Sequence, residues 1–180
     1  MIAMVALFEA EAVGHDPQAI IVRYAYEGFD VAMLTAEAEE VDLVSEGALK
    51  DKAPCSELFL GLENGLLTPE GKSFAIRLVN GVHSQMAALD RIIASSAPNW
   101  PMDQMAQVDK TILRLAIYEI VFGDDVPLKA AINEAIELGK CFGSDSSGRF
   151  INGVLGSVVN QLDTYRGLRD GNSDMAGGEA

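Results

Sequence analysis

The stretch SSGRFINGVLGSVV, Ser146–Val159, decides the fold, because it can be read in two ways. Asn152-Gly153 is the usual signal for a tight β-hairpin turn. The apolar residues around it do not alternate, however. Phe150, Val154 and Val158 recur every four residues, as do Ile151, Leu155 and Val159, and that spacing builds one face of an α-helix. The dipeptide therefore lies inside a helix, where glycine costs about 1 kcal/mol against alanine. Such a cost is tolerable where a neighbouring helix must approach closely or an Asn must reach a specific partner.

The same periodicity extends outward from this segment. The helix it belongs to is expected from about Ser147 to Tyr165. DDVPLKAAINEAIELGKCFG, ending at Gly143, places Pro127 near a first turn and Ile132, Ala135, Ile136 and Gly139 on an inner face. MDQMAQVDKTILRLAIYEIVFG turns Val108, Ile112, Leu115, Ala116 and Ile120 inward and closes at Gly123. SFAIRLVNGVHSQMAALDRIIASS spaces Phe74, Leu78, Val82, Met86, Leu89 and Ile93 as a core stripe. At the start, residues 2–13 carry Val5, Phe8 and Ala12 on one stripe, and Gly14 stops that helix. Asp16-Pro17 opens the next, with Ile20, Ile21, Tyr24 and Ala25 at helical spacing. Between Gly28 and Gly71 acids and breakers interrupt the pattern, so an acidic insertion with short helices is expected there. The Gly-rich, polar end reads as disordered. The fold class is all-α: about seven helices in two small packed bundles. The boundaries expected are 1–98 for an N-terminal helical subdomain with the acidic insertion around 28–71, 99–166 for a C-terminal helical subdomain, and 167–180 for the disordered tail.

Charge narrows the function. Against 27 Asp and Glu stand 13 Lys and Arg, a formal net charge of −14, which repels polyanions on average. The imbalance lies in residues 1–70, where the only cations are Arg23, Lys50 and Lys52. Residues 71–166 are almost balanced, so any anion-binding surface belongs there. With two histidines, His15 and His83, and two distant cysteines, Cys55 and Cys141, no metal-ligand cluster is legible, and both thiols are expected reduced. No cofactor fingerprint or catalytic constellation is present, so the chain reads as no enzyme. The apolar runs fall short of a membrane span and the first residues lack a signal-peptide pattern, so the expected compartment is cytoplasmic.

Two cationic features stand out. Lys110 and Arg114 lie four residues apart, with Tyr118 one turn further; they either face acids from elsewhere in the chain or form an anion site. Arg149 and Phe150 fall in the first turn of a helix. There free N–H groups and a partial positive charge favour phosphate, and a guanidinium adds a fork suited to its oxygens. Phe150 offers a stacking ring if it points outward and is core if it points inward.

VDKTILRLAIYE and AINEAIELGK followed by RFINGVL, in this order and separation, resemble the signatures of the NusB family of transcription antitermination factors. The likeness is dense over about 72–160, and ALFEAEAVGHDP resembles the family's first helix. The resemblance implies two helical subdomains without enzymatic activity. It implies binding of boxA-type single-stranded RNA together with NusE, a small-subunit ribosomal protein, within an RNA polymerase antitermination complex. Carried over residue by residue, it puts Lys110, Arg114, Arg149 and Phe150 on the RNA side and Phe8, Asp109 and Glu119 near NusE. Some relatives pair over surfaces that overlap the RNA side, which leaves a homodimer open. Two departures point to an alternative, a NusE-binding interaction module with weak or lost RNA binding. The family's arginine-rich segment before the first helix has no counterpart here, where Arg23 is the first cation, and the 28–71 region is longer and more acidic than usual.

Overall fold

The computed structural model describes residues 1–27, 67–123 and 126–171. Among these are eight α-helices and no strand: α1 Ile2–Val13, α2 Pro17–Glu27, α3 Pro69–Ser84, α4 Met86–Ser96, α5 Gln107–Ile117, α6 Leu128–Phe142, α7 Ser147–Asn160 and α8 Leu162–Gly171. Residues 28–66, most of the expected acidic insertion, and 172–180, most of the expected tail, lie outside the described residues.

α5 is the axis of the molecule. Nine of its eleven residues are buried, including Ile112, Leu113 and Ile117. It packs against α1, α3, α4, α6 and α7, and one continuous core runs from Ile2 to Tyr165. α4 precedes the boundary expected at 98 yet packs on α5 and α7.

The helix ends follow local chemistry. Gly14 stops α1 in the left-handed region at φ 72°, which glycine adopts without strain. The Asp16 carboxylate accepts from the Gln18 N–H at 3.0 Å, and Pro17 begins α2. Thr68 caps α3 by accepting from the Gly71 N–H at 3.1 Å, with Pro69 as its first residue. α1 and α2 are joined by Glu9, which accepts from Arg23 at 2.7 Å and from the Tyr24 hydroxyl. Burial and then the Glu9 carboxylate push the Tyr24 phenol up to about 12.

Several expectations change. The stripe from Phe74 to Ile93 belongs to two helices broken at Gln85, and Phe74 is exposed at the outer face of α3. In α1, Ala12 is exposed, whereas Ile2 to Leu7 are all buried, because α2, α3 and α5 enclose that end. The helix expected to Tyr165 breaks at Gln161, and α8 continues to Gly171, beyond the tail boundary expected at 167. Its anchors are Tyr165, 3.0 Å from the Ser95 hydroxyl, and Arg166, which donates to the Ile120 carbonyl at 2.9 Å. That carbonyl lies in a π turn, Tyr118–Phe122, which ends α5 with Gly123 N–H donating to the Tyr118 carbonyl at 2.9 Å. Cys141, buried in α6, is disulfide-bonded and not the reduced thiol expected from the rarity of disulfides in the cytosol; Cys55 lies outside the described residues.

Candidate nucleic-acid interface

The start of α7 is fixed by a close crossing with α6. A methyl added to Gly139 would stand 2.5 Å from Ile151 Cδ1, and one on Gly148 would stand 3.0 Å from Lys140 Cγ. A larger side chain at Gly139 must displace the buried Ile151, whereas at Gly148 the exposed Lys140 chain need give only a little. The turn before α7 is tied by its serines: Ser147 Oγ accepts from the Ser144 N–H at 2.9 Å, and the Ser144 hydroxyl lies 3.1 Å from that of Ser146.

The first turn of α7 holds unused donors. Ser147 N–H donates to the Ser144 carbonyl and Phe150 N–H to that of Ser146, each at 3.0 Å. The amides of Gly148 and Arg149 have no hydrogen-bond partner among the described residues. Arg149 is exposed and makes no ion pair there. Gly148 is buried, so the surface of this turn is set by Arg149, whose amide and guanidinium, without partners among the described residues, make a cationic corner at a helix N-terminus in a strongly acidic chain. Phe150 is half-buried: it packs on the core and also meets the exposed Trp100 ring, with centroids 5.7 Å apart and planes at 68°. Both readings of Phe150 thus hold in part.

The other candidates divide. Lys110 is half-buried and makes no ion pair among the described residues. It follows Asp109, whose carboxylate is favoured by the Ser147 side chain, and the helices α5 and α7 pack on one another. Arg114 is corrected. Its side chain is 8% exposed and donates through Nε to Asp90 at 2.7 Å, through Nη2 to the same carboxylate at 3.1 Å and through Nη1 to Glu11 at 2.6 Å. Burial alone would lower its pKa, but these carboxylates outweigh it and hold the guanidinium above its ordinary value. Arg114 therefore clamps α1, α4 and α5 together and is not available to phosphate.

Asp109 is corrected as well. It is 8% exposed, and one carboxylate oxygen has no partner. It lies under the influence of Ser147 at the start of α7 and offers little surface to a partner. Glu119 is half-buried in the π turn, ten residues along the helix, about 15 Å away at 1.5 Å per residue. Burial, and then Glu134, raise its pKa, while the nearby N-terminal amine opposes them. Phe8 is half-buried on α1. Asp109 and Glu119 consequently do not form one patch.

Burial raises the Asp109 pKa, and the Ser147 side chain only partly opposes it. The folded state therefore prefers the protonated carboxyl. Its contribution to stability is full below the unfolded pKa near 3.8 and is lost as pH rises through the folded value. Asp109→Asn cannot ionise, so its stability relative to wild type is expected to climb as pH rises from about 4. Urea midpoints over a pH series test this; a difference that is flat or falls with pH contradicts it.

The glycines that opened the sequence reading find no packing reason. A methyl on Gly153 or Gly156 would meet nothing within 4 Å, and Asn152 is exposed beside them. Gly153→Ala is expected to stabilise the protein by about 0.5–1 kcal/mol, read as a raised Tm. A lowered Tm would show that an unseen contact lies against that face.

Fold and corner together define a class: described residues that are all helical and built around one buried helix, with a cation unpaired among them and two rings where a late helix begins. The sequence profile of the NusB family matches residues 30–160. The transcription antitermination protein NusB of Roseiflexus sp. (strain RS-1) is 50% identical over 123 residues, 67% of this chain and 84% of that protein. NusB of T. maritima superposes with a TM-score of 0.61 at 25% identity, covering 89% of this chain and 87% of that one. A solved structure of the antitermination factors NusB and NusE in complex with dsRNA gives 0.57 at 17% identity, over 88% and 91%, a likeness of fold. The chain belongs to the NusB family.

Proposed function

We propose that this chain is a transcription antitermination factor that binds boxA-type single-stranded RNA jointly with NusE, as part of an RNA polymerase antitermination complex in the cytoplasm. The observation that carries the reading is Arg149, exposed beside Phe150 in the first turn of α7 and without an ion pair or an amide hydrogen bond among the described residues. Phosphate oxygens match the guanidinium fork and the amide, and a base face matches the ring. Lys110 adds a second cation from α5, which packs on α7. Arg114 takes no part.

NusE is the partner on the opposite sign of charge. A net charge of −14 steers a basic ribosomal protein toward the chain, and Phe8 and Glu119 are the residues proposed to meet it. With a few phosphate contacts, RNA affinity is expected to fall with salt by about 0.7 log units per log unit for each contact. The test is binding of a boxA-type RNA and a scrambled RNA, with and without NusE. A ternary complex that prefers the boxA-type strand supports the reading. Equal affinity for the scrambled strand overturns the RNA role and leaves the alternative, a NusE-binding module.

A further inference from the structure

We infer that Trp100 is a base-stacking residue of this interface, which rests on the RNA-binding reading above and names the ring that an unpaired base meets. Trp100 is the only tryptophan in the chain and is 55% exposed. Half-exposed, the indole keeps a large flat surface open on which a base can stack. Its neighbour is Phe150, the ring beside the unpaired Arg149, so the indole lies against the cationic corner and not on a remote face.

The loop that carries Trp100 is built to hold it. Trp100 N–H donates to the Ala97 carbonyl at 3.0 Å, and Gln104 N–H to the Pro101 carbonyl at 2.9 Å, making two consecutive turns. Pro98 and Pro101 fix φ on either side. Ala97 and Met105 are buried in the core at the two ends of the loop. The edge-to-face contact with Phe150 then sets the ring plane. An indole held in advance loses little entropy when a base stacks on it.

The 68° between the ring planes decides which RNA fits. Bases in a duplex or a continuous stack are parallel, so two neighbours in such a stack cannot both lie flat on these rings. A strand whose bases are splayed apart can, one base on the indole and the next toward Phe150, with phosphate between them near Arg149. The ligand is therefore an unpaired base of single-stranded RNA, and duplex RNA is the poorer one.

Because the tryptophan is single, its fluorescence reports on the site directly. The full chain is titrated with a boxA-type single strand, with a duplex of the same length and with NusE alone, while labelled-RNA anisotropy records binding independently. Expected are quenching by the single strand, little by the duplex, and a roughly 5- to 100-fold weaker single-strand affinity for Trp100→Leu, with Trp100→Phe retaining most of it. Circular dichroism checks the fold of both variants. Should Trp100→Leu fail to fold, quenching of the wild type and the affinity of Trp100→Phe decide. RNA that binds by anisotropy without quenching, and binds Trp100→Leu as tightly as wild type, overturns this inference and leaves the RNA reading standing. Quenching by NusE alone also overturns it, since the ring then serves the protein partner. No RNA binding in any arm overturns the reading beneath it.

Discussion

Arg114→Leu is expected to lower the free energy of unfolding by about 2–3 kcal/mol while leaving the RNA affinity of the folded protein within about twofold. The guanidinium is buried and donates to Asp90 through two nitrogens and to Glu11 through a third. Breaking a fully buried ion pair costs about 3–5 kcal/mol. Asp90 and Glu11 are each about one third exposed, 34% and 39%, so water compensates part of the loss and the lower range applies. Leucine keeps most of the apolar stem, which isolates the charge. Denaturant unfolding reads the stability and anisotropy reads the affinity. An unchanged midpoint with a large loss of RNA affinity would return Arg114 to the RNA side.

The paired substitution Arg149→Ala with Phe150→Leu is expected to do the reverse. Removing a charge-assisted phosphate contact and a stacking ring together gives about 2–4 kcal/mol, or 30- to 1000-fold weaker binding of boxA-type RNA. Leucine is chosen because Phe150 is half-buried on the core, and alanine would leave a cavity there. Arg149→Ala alone should reduce the salt slope by about 0.7. Binding of NusE without RNA should be unchanged. Weakened NusE binding with intact RNA binding would move this corner to the protein partner.

These two predictions mark how far the sequence carried. Helix identity was legible because burial imposes a 3.6-residue period, and Ile112, Leu115, Ala116 and Ile120 are buried where the stripe puts them. Asn152-Gly153 could be placed in a helix for the same reason. The breaks at Gln85 and Gln161 were not legible, since no Gly or Pro marks them and the apolar spacing runs on. Nor was the π turn, whose extra residue leaves Tyr118 and Phe122 stacked as neighbours one turn apart.

The site was legible in type more than in membership. Lys110 and Arg114 are equivalent by spacing, and what separates them is the position of carboxylates far along the chain. Asp90 is 24 residues from Arg114 and Glu11 is 103, distances no local pattern encodes. Asp109 is placed toward NusE by the family resemblance alone, and no local pattern marks it as buried. Its burial comes from α7, which arrives from the following helical hairpin. Trp100 lies outside every apolar stripe, so periodicity does not single it out. The available signal was a large aromatic held between two prolines, which a simple breaker does not need.

The central claim is a location: unpaired RNA binds where α7 begins. Backbone amide shifts of the full chain, followed during titration with a boxA-type single strand in the presence of NusE, test it most directly. The account expects the largest RNA-dependent shifts at Gly148–Asn152, with smaller ones at Lys110 and Trp100 and none around Arg114 or Asp90. Shifts concentrated on α1 and α2, with Gly148–Asn152 unmoved, would contradict it.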